Sequence, residues 1–341
     1  MNAHSAHRPD RPLPALLASA FVLLAGHALA ADPAPAEQKP MPVALVDSLN
    51  ALSGGPHAGY RANHAKGVLV SGTFTPASTA PSLSKAPHFR QKVPVVVRFS
   101  DTTGVPTMPD ASPDASPHGM AIRFQIPGGL STDIVAISAN GFPVATPEDF
   151  LALLQAVAQS GPGVAKPTPI EQFLGSHPAA LKFVTTPQPA PVSFATLAFY
   201  GVNAFKFNNA KGVTHYGRYR MLPAAGEQGL DEAAAKATSP TYLMDELPTR
   251  IAKGPVRFRL VVQVAKDGDS TTDGTQVWPD DRQIVELGTL ALTAVSKDQV
   301  KDQKAILFNP VNLPAGIEAS DDPVLAARFP AYAVSYRQRL N

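Results

Sequence analysis

The sequence predicts an α+β protein, an antiparallel β-barrel that carries inserted and C-terminal helices. Short β-branched runs closed by Gly, Pro or Asp recur through the first two thirds of the chain, as in antiparallel sheets. The clearest helical patterns stand between and after these runs instead of alternating with each of them. This order favours a barrel over a parallel α/β sheet.

Several segments predict the strands. Residues 256–265 alternate apolar side chains, from Val256 to Val264, with partly polar neighbours, which predicts a half-buried antiparallel strand. Residues 204–222 predict a hairpin with its turn at 209–212. The remaining predicted strands are the β-branched runs 67–76, 93–100, 119–126 and 133–138.

One inserted helix is predicted in the segment ATPEDFLALLQAVAQSG. Thr146 is placed to cap its N-terminus, Pro147 occupies the first helical position, and Gly161 closes it. The helical period predicts a buried stripe formed by Phe150, Leu153, Leu154 and Val157.

Residues 322–340 predict a second helix, which follows the irregular segment FNPVNLPAGIEAS. Pro330 lies within it, so a kink or a late start of the helix is expected. The spacing places four side chains on one helical face: Arg328, Tyr332, Tyr336 and Arg339.

That helical face suggests a specific chemistry. A guanidinium one turn from a phenol stabilises the phenolate, which is a hard anionic ligand suited to ferric iron, and tyrosine is one of the axial ligands of haem. Arg339 on the same face could pair with a propionate carboxylate. The alternative is an ordinary amphipathic helix with solvated arginines, a common surface pattern.

The N-terminus has the pattern of a secretory signal peptide, because Arg8 and Arg11 precede an apolar run that ends in small residues. We predict a signal peptide at 1–30, a flexible Pro- and Ala-rich leader at 31–42, and a single domain at 43–341. The apolar run is shorter than the roughly 20 residues of a membrane span, so no stable membrane anchor is expected. The predicted location is the periplasm, with secretion beyond the cell as the alternative.

The composition excludes several classes of site. The chain of 341 residues has no cysteine, which excludes disulfides, iron–sulfur clusters and thiolate ligands. The formal net charge of +2 is too balanced to favour a nucleic-acid or anionic-membrane partner. Phosphate-binding glycine loops and the GxSxG nucleophile motif are absent from the sequence.

His64 is the second candidate, placed between the cations Arg61 and Lys66 where an apolar strand begins. Such a histidine is usually a hydrogen-bonded structural residue. The other histidines show no metal-ligand spacing with it. The residues alone therefore indicate an exported globular enzyme of unknown reaction.

Several motifs resemble haem catalases. Residues 61–67 (RANHAKG) resemble the family's R-x-x-H-A-K-G, and 98–100 (RFS) its R-F-S. Residues 308–318 (FNPVNLPAGIE) resemble F-N-P-x-N-x-P-x-G-I-E, and Arg328, Tyr332 and Arg339 follow at the family's spacing. The segments TQVWPDD and AFKFNNAKG match in the same chain order. From about Val43 onward, the chain resembles the short catalase-related peroxidases, which lack the C-terminal flavodoxin-like domain.

The resemblance implies a catalase-like antiparallel β-barrel with helices around a buried haem b. It makes His64 the distal catalytic histidine, oriented by Ser100, and Tyr332 the iron ligand, held as phenolate by Arg328. The residues implied to contact the rest of the haem are Arg61, Arg98 and Arg339 at the propionates and Phe150 beside the ring.

The distal pocket departs from the catalase pattern. Catalases carry an asparagine there, in V-G-N-N-T-P, and a gap-free alignment puts Ile137 at that place. A shift of three residues in the loop would bring Asn140 to it, and we favour Asn140 because a distal amide helps to bind peroxide. The alternative is that Asn140-Gly141 is simply a turn.

The predicted channel and the proximal helix also depart from the family. Asp101 and Thr102 replace the Thr-Val that follows R-F-S, and 116–119 (SPHG) replaces D-P-R-G, losing the channel acid and its arginine. Tyr336 replaces a histidine one turn after the proximal tyrosine. These changes disfavour catalatic turnover, which needs a second peroxide in a narrow channel.

The resemblance therefore implies a haem peroxidase that reduces hydrogen peroxide or organic hydroperoxides with a small-molecule electron donor, with weak or no catalase activity. One alternative is an allene oxide synthase-like hydroperoxide isomerase on the same fold. Another is a non-enzymatic exported haem-binding protein. Fold analogy alone suggests a homodimer, and no residue supports an NADPH site.

Overall fold

The computed structural model describes residues 39–341, so the predicted signal peptide 1–30 and most of the predicted leader 31–42 lie outside the described residues. The strands are β1 (Gly67–Pro76), β2 (Val93–Ser100), β3 (Gly119–Ile126), β4 (Leu130–Ile137), β5 (Phe199–Tyr200), β6 (Phe205–Asn208), β7 (Thr214–Pro223), β8 (Val256–Val264), β9 (Ile284–Val295) and β10 (Ile317–Ala319). The helices are α1 (Met41–Leu52), α2 (Ala80–Leu83), α3 (Pro147–Ala158), α4 (Pro169–Ser176), α5 (Pro178–Thr185), α6 (Glu232–Lys236), α7 (Tyr242–Lys253), α8 (Gln299–Ala305) and α9 (Pro323–Leu340). No helix in this described part has the length and apolar character needed to cross a membrane.

Eight of these strands form a closed antiparallel barrel. Neighbouring strands pair in the order β7–β5–β4–β3–β2–β1–β9–β8, and β8 pairs back onto β7. The short strands β6 and β10 extend the sheet from the first half of β7. The predicted α+β class, an antiparallel barrel with inserted and C-terminal helices, is confirmed.

The barrel interior is filled by apolar side chains. Phe74, Phe99, Phe124 and Phe258 are wholly buried, and the rings of Phe74 and Phe124 meet edge to face with their centres 5.2 Å apart. Each such side chain stabilises the fold by roughly 1.5–3 kcal/mol. The interior is therefore structural core.

The strand predictions agree closely with the observed bounds. β1, β2 and β3 span the predicted residues, the 204–222 hairpin forms β6 and β7, and β4 begins earlier than predicted, at Leu130. The prediction of a half-buried strand is wrong for the second half of β8, where Val261 and Gln263 are buried as well. A loop covers that side, and the Gln263 amide donates to the Pro279 carbonyl at 2.8 Å.

The two predicted helices form with corrections. In α3, the Thr146 hydroxyl caps the helix by accepting from the Asp149 N–H at 3.1 Å. The predicted burial of Val157 is wrong, since this side chain is 43% exposed and Ala156 is buried instead. The buried face of α3 is thus rotated by one residue, toward α1 and α9, on which it packs.

Helix α9 begins at Pro323 and continues through Pro330, so the prediction of a late start is wrong. The reason is the cap, because the Asp322 carboxylate accepts from the N–H groups of Val324 and Leu325 at 2.8 and 3.2 Å. This cap and a proline at the first helical position set the start of the helix. Pro330 removes only one internal hydrogen bond.

The β3–β4 hairpin offers a test of the packed interior. Phe124→Ala should lower the free energy of unfolding by about 3–5 kcal/mol, because it leaves a cavity in the core. Leu130→Ala, at a position 66% exposed on the same hairpin, should change it by less than about 0.5 kcal/mol. Urea denaturation followed by circular dichroism measures both values, and equal values would contradict the assignment of the interior.

Candidate active site

One cavity lies between the outer face of the barrel wall and the helices α1, α3 and α9. Ala121, Val135, Ile137 and Tyr200 face it from β3, β4 and β5. The helices contribute mostly apolar side chains, so the cavity suits a large, flat and largely apolar ligand. The helical residues that close it include Leu45, Val46, Phe150 and Val324.

His64 and Ser100 form a hydrogen-bonded pair in the wall of this cavity. The Nδ1 atom of His64 lies 3.1 Å from the Ser100 hydroxyl, as predicted for these two residues. His64 has φ of 57°, an uncommon conformation for a non-glycine residue. Its neighbours hold the turn, since Asn63 accepts from the Thr103 N–H at 2.8 Å and Ala65 donates to the Thr103 carbonyl at 3.0 Å.

The surroundings of His64 keep its imidazole neutral. Burial, reinforced by the positive charge of Arg98, lowers the pKa of His64 to about 3, although the Asp101 carboxylate partly opposes this. In the tautomer whose Nδ1–H donates to the Ser100 hydroxyl, Nε2 is the basic nitrogen and can accept a proton. The pair is therefore suited to general acid–base chemistry in the cavity.

Gly119 makes room for this pair and was not identified from the sequence. It pairs with Ser100 across β2 and β3. A Cβ atom at Gly119 would lie 2.7 Å from the Ser100 hydroxyl oxygen and 2.8 Å from Nδ1 of His64. A glycine within a predicted strand indicates a close approach of neighbouring groups. This is the sequence signal from which the role of Gly119 could have been found.

Ile137, not Asn140, lies on the cavity wall. β4 pairs with β3 without a shift in register up to Ile137, which faces Gly119. Asn140 follows the end of β4 and is not among the lining residues, so the structure does not bring its amide to this cavity. An apolar side chain thus stands where the amide was expected.

Tyr332 and Arg328 form the pair predicted on the opposite side of the cavity. Nε of Arg328 donates to the phenol oxygen of Tyr332 at 3.0 Å. Nη1 of Arg328 donates to the Asn203 side-chain oxygen at 2.6 Å, and the Asn203 amide donates to Asp322 at 2.7 Å. A charge-assisted bond directed at the phenol oxygen suits an anionic, metal-binding form of that atom.

Asn203 and Asp322 are therefore supporting residues that sequence reasoning missed. Both are buried. The helix-cap position of Asp322, immediately before Pro323, was a readable signal, whereas nothing in the sequence marks Asn203. On α9, Ser335 rather than Tyr336 shares the cavity face, because the Tyr336 hydroxyl donates to the Ala305 carbonyl at 3.1 Å.

Three arginines converge on one end of the cavity: Arg61, Arg98 and Arg339. Each donates to neutral oxygen atoms, such as the Ile306 carbonyl for Arg61 and the Gln303 amide for Arg98. Within residues 39–341, none of the three forms an ion pair with a carboxylate.

Burial lowers the pKa of all three arginines, and repulsion from neighbouring arginines adds to this for Arg61 and Arg98. Burial, followed by the charge of Arg339, lowers the pKa of Arg98 to about 9. Burial lowers the pKa of Arg339 to about 10, and burial together with the other two arginines depresses the pKa of Arg61 well below its usual value. A cluster of this kind favours an anionic ligand, and guanidinium groups match carboxylates well.

These residues fit a haem. The arginines suit its two propionate carboxylates, the Tyr332 oxygen suits its iron, and the apolar walls suit its ring. Phe150 lines the cavity as predicted, with its ring centre 5.3 Å from that of Phe142. The predicted site residues thus come together, except for Asn140.

A buried ionic cluster lies behind the His64–Ser100 pair, where the sequence departs from the family. Asp101 lies 3.1 Å from Nδ1 of His118 and 3.2 Å from the Lys66 ammonium, which also pairs with Asp110. Asp110 accepts from the Leu243 N–H at 2.7 Å, which joins the cluster to α7. The substituted residues Asp101 and His118 therefore belong to a buried cluster that joins the distal turn to α7.

Comparison with known proteins agrees with this geometry. The family model described as Catalase matches residues 57–341. A catalase-related peroxidase of Mycolicibacterium paratuberculosis is 38% identical over 291 residues, which cover 84% of this chain and 91% of the relative. One of Synechococcus elongatus is 34% identical over 299 residues, covering 85% of this chain and 87% of the relative.

Longer catalases are similar over part of their length. The catalase of Pseudomonas syringae pv. syringae is 29% identical, and the match covers 57% of it. A fungal catalase structure aligns with a TM-score of 0.74 at 23% identity, covering 87% of this chain and 62% of the catalase. A bacterial catalase structure aligns at 0.73 and 23%, covering 84% and 58%. At this identity the structures show the fold alone.

The close approach at Gly119 gives one prediction. Gly119→Ala should displace His64 or Ser100, because the new methyl group has no space between them. We expect the rate of reaction with hydrogen peroxide to fall by about tenfold or more, with little change in the haem absorption spectrum. Stopped-flow absorption measures the rate, and Gly161→Ala, at an open position, is the matched control. An unchanged rate would show that the pair tolerates the methyl group.

The cluster at Asp110 gives a prediction about pH. Burial, together with the neighbouring Asp101 charge and against the hydrogen bond from Lys66, raises the pKa of Asp110 to about 6. Between about pH 4 and 6 the folded chain keeps a proton that the unfolded chain has lost, so this group's contribution to stability decreases as pH rises.

Asp110→Asn removes that pH dependence. The unfolding free energy of the variant, relative to the parent, should rise between pH 4 and pH 7 by on the order of 2 kcal/mol. Urea denaturation at a series of pH values measures it, with Asp114→Asn, an exposed carboxylate in the same loop, as the control. A difference that stays constant across this range would contradict the prediction.

Proposed function

The chain belongs to the catalase family and is a haem peroxidase, and on this premise we propose that it reduces hydrogen peroxide or an organic hydroperoxide with a small-molecule electron donor. We propose haem b as the cofactor and Tyr332 as the ligand of its iron. The observation that carries the proposal is that the His64–Ser100 and Arg328–Tyr332 pairs both line one cavity.

Haem b, when bound, supplies the iron redox chemistry that reduction of a peroxide requires. His64 performs the proton transfers. Its Nε2 would take a proton from one peroxide oxygen and return it to the other, which would leave as water or as an alcohol. Ser100 holds the ring in the orientation that this transfer needs.

The remaining side chains bind and orient the cofactor. The propionates would accept hydrogen bonds from Arg61, Arg98 and Arg339, and their negative charges would offset the repulsion among the three guanidinium groups. Arg328 stabilises the Tyr332 oxygen, and Asn203 with Asp322 holds the Arg328 guanidinium in place. Phe150, which lines the cavity, would contact the ring.

We propose that catalase activity is weak or absent. Ile137 gives the distal wall no amide donor to hold a second peroxide. Asp101 and His118 replace family channel residues, and they pair with each other while Asp101 also pairs with Lys66. Both changes disfavour delivery of a second hydrogen peroxide molecule. The apolar wall favours the alkyl group of an organic hydroperoxide.

The N-terminal residue pattern supports export to the periplasm.

Two substitutions test the roles of the two pairs. His64→Ala should retain the haem spectrum but react with hydrogen peroxide about 100-fold to 10,000-fold more slowly, because the proton-transfer group is lost. Tyr332→Phe should change the ferric absorption and electron paramagnetic resonance spectra, because the anionic ligand is lost. His215→Ala, at an exposed histidine on β7, is the control for both.

Product analysis completes this test. Guaiacol oxidation that depends on peroxide, with little oxygen release in the absence of a donor, is the expected result. Full peroxide reactivity in His64→Ala would contradict the acid–base role. Rearrangement of a fatty-acid hydroperoxide without any reductant would replace the peroxidase proposal with an isomerase.

A further inference from the structure

We propose that Tyr200 is the residue through which a small phenolic reductant delivers electrons to the cofactor cavity. The inference rests on the proposed peroxidase function and adds a second site, at the rim of the cavity, to the site of peroxide cleavage. We call this second site the rim site, and it consists of Tyr200, Arg220 and the exposed carboxylates Glu227 and Asp280.

The strand register places Tyr200 between the cavity and the rim. Ser100 pairs with Gly119, Gly119 with Ile137, Ile137 with Tyr200, and Tyr200 with Arg220. Side chains at directly paired positions share one face of the sheet. This row therefore runs across the outer face of the barrel from the distal pair to Arg220, and Tyr200 lines the cavity itself.

The far side of Tyr200 faces charged and exposed groups. The guanidinium of Arg220 lies 5.7 Å from the centre of the Tyr200 ring. It donates a hydrogen bond to the Gln263 side-chain oxygen at 2.6 Å. It also lies 3.7 Å from the carboxylate of Asp280, whose side chain is 93% exposed. Burial, followed by the negative charge of Glu227 and against that of Arg220, raises the pKa of Tyr200. In its resting form Tyr200 is a neutral phenol.

Other oxidisable aromatic side chains are less well placed to pass electrons between the surface and the cavity. Of the cavity-lining residues, Tyr200 and Tyr332 are the tyrosines, and Tyr332 is engaged by Arg328. Trp278 is buried away from the cavity lining, with its indole N–H donating to the Ser270 carbonyl at 2.9 Å. Tyr219 is buried among the core side chains of the barrel. Tyr200 alone of these joins the cavity to charged groups at the surface.

The chemistry balances in two steps. Reduction of one peroxide to an alcohol or water, with release of its second oxygen as water, takes two electrons and two protons. In each of two rounds Tyr200 would supply one electron and lose its hydroxyl proton to water or to a rim carboxylate, leaving a neutral phenoxyl radical, while solvent would deliver the matching proton to the oxygen released as water. A phenol at the rim then transfers one electron and one proton to the Tyr200 oxygen, which restores the tyrosine and releases the donor's phenoxyl radical. Two donor molecules therefore serve each peroxide.

The rim site also indicates the class of donor. An aromatic ring and a guanidinium together bind a second aromatic ring by stacking and by cation–π attraction. Arg220 favours a ring with an electron-rich or anionic oxygen, as in a phenol. The expected donors are small phenols that need not enter the cavity.

The test uses the haem-loaded protein, hydrogen peroxide and guaiacol. In the parent, rapid freezing after peroxide addition should give a tyrosyl signal by electron paramagnetic resonance, and a nitroso spin trap should label the peptide that contains Tyr200. Tyr200→Phe should lose both signals. Its kcat/KM for guaiacol should fall by about tenfold more than its rate of reaction with peroxide.

Tyr216→Phe is the matched control, because Tyr216 is a half-buried tyrosine on β7 outside the cavity lining. Arg220→Gln should weaken guaiacol oxidation while leaving the radical on Tyr200. If the parent reacts with peroxide but the label maps to another residue, or if Tyr200→Phe oxidises guaiacol normally, the inference is wrong. If the loaded parent does not react with peroxide at all, the proposed function itself fails.

Discussion

The pairing of β8 with β7 closes the barrel, and the rest of the structure depends on this closure. A closed sheet has no free edge and cannot change register without breaking every pair around it. The outer face is therefore a rigid wall. Ser100, Gly119, Ile137 and Tyr200 lie on that wall in one row of paired positions, so their separations are set by the sheet and not by flexible loops.

On the helical side of the cavity, the Asp322 carboxylate has two roles. Asp322 sets the first turn of α9 through the N–H groups of Val324 and Leu325, and through Asn203 it also holds Arg328. The start of the helix and the direction of the Arg328–Tyr332 hydrogen bond are consequently coupled. A loss of the cap would move the tyrosine as well as fray the helix.

Much of the barrel could be predicted from the sequence, because strands such as 93–100 and 119–126 are short β-branched runs with clear ends. Strand β9 could not be predicted in this way, because its alternation of apolar and polar residues is interrupted where its register against β1 and β8 shifts. The residues carried by motifs could be picked out from the sequence, and the structure brings them to one cavity. The contacts of Gly119, Asn203 and Asp322 join segments far apart in sequence and could not be read from it. Asn140 lies outside the cavity lining because β4 keeps its register up to Ile137, and sequence spacing does not show where a strand ends.

The three unpaired arginines have a consequence for how the protein matures. Before the carboxylates of the cofactor arrive, Arg61, Arg98 and Arg339 repel one another inside a largely apolar cleft. An anionic ligand that pairs with these guanidinium groups therefore favours packing of α9, which carries Arg339, against the segments that carry Arg61 and Arg98. Haem binding and the packing of this helix thus stabilise each other.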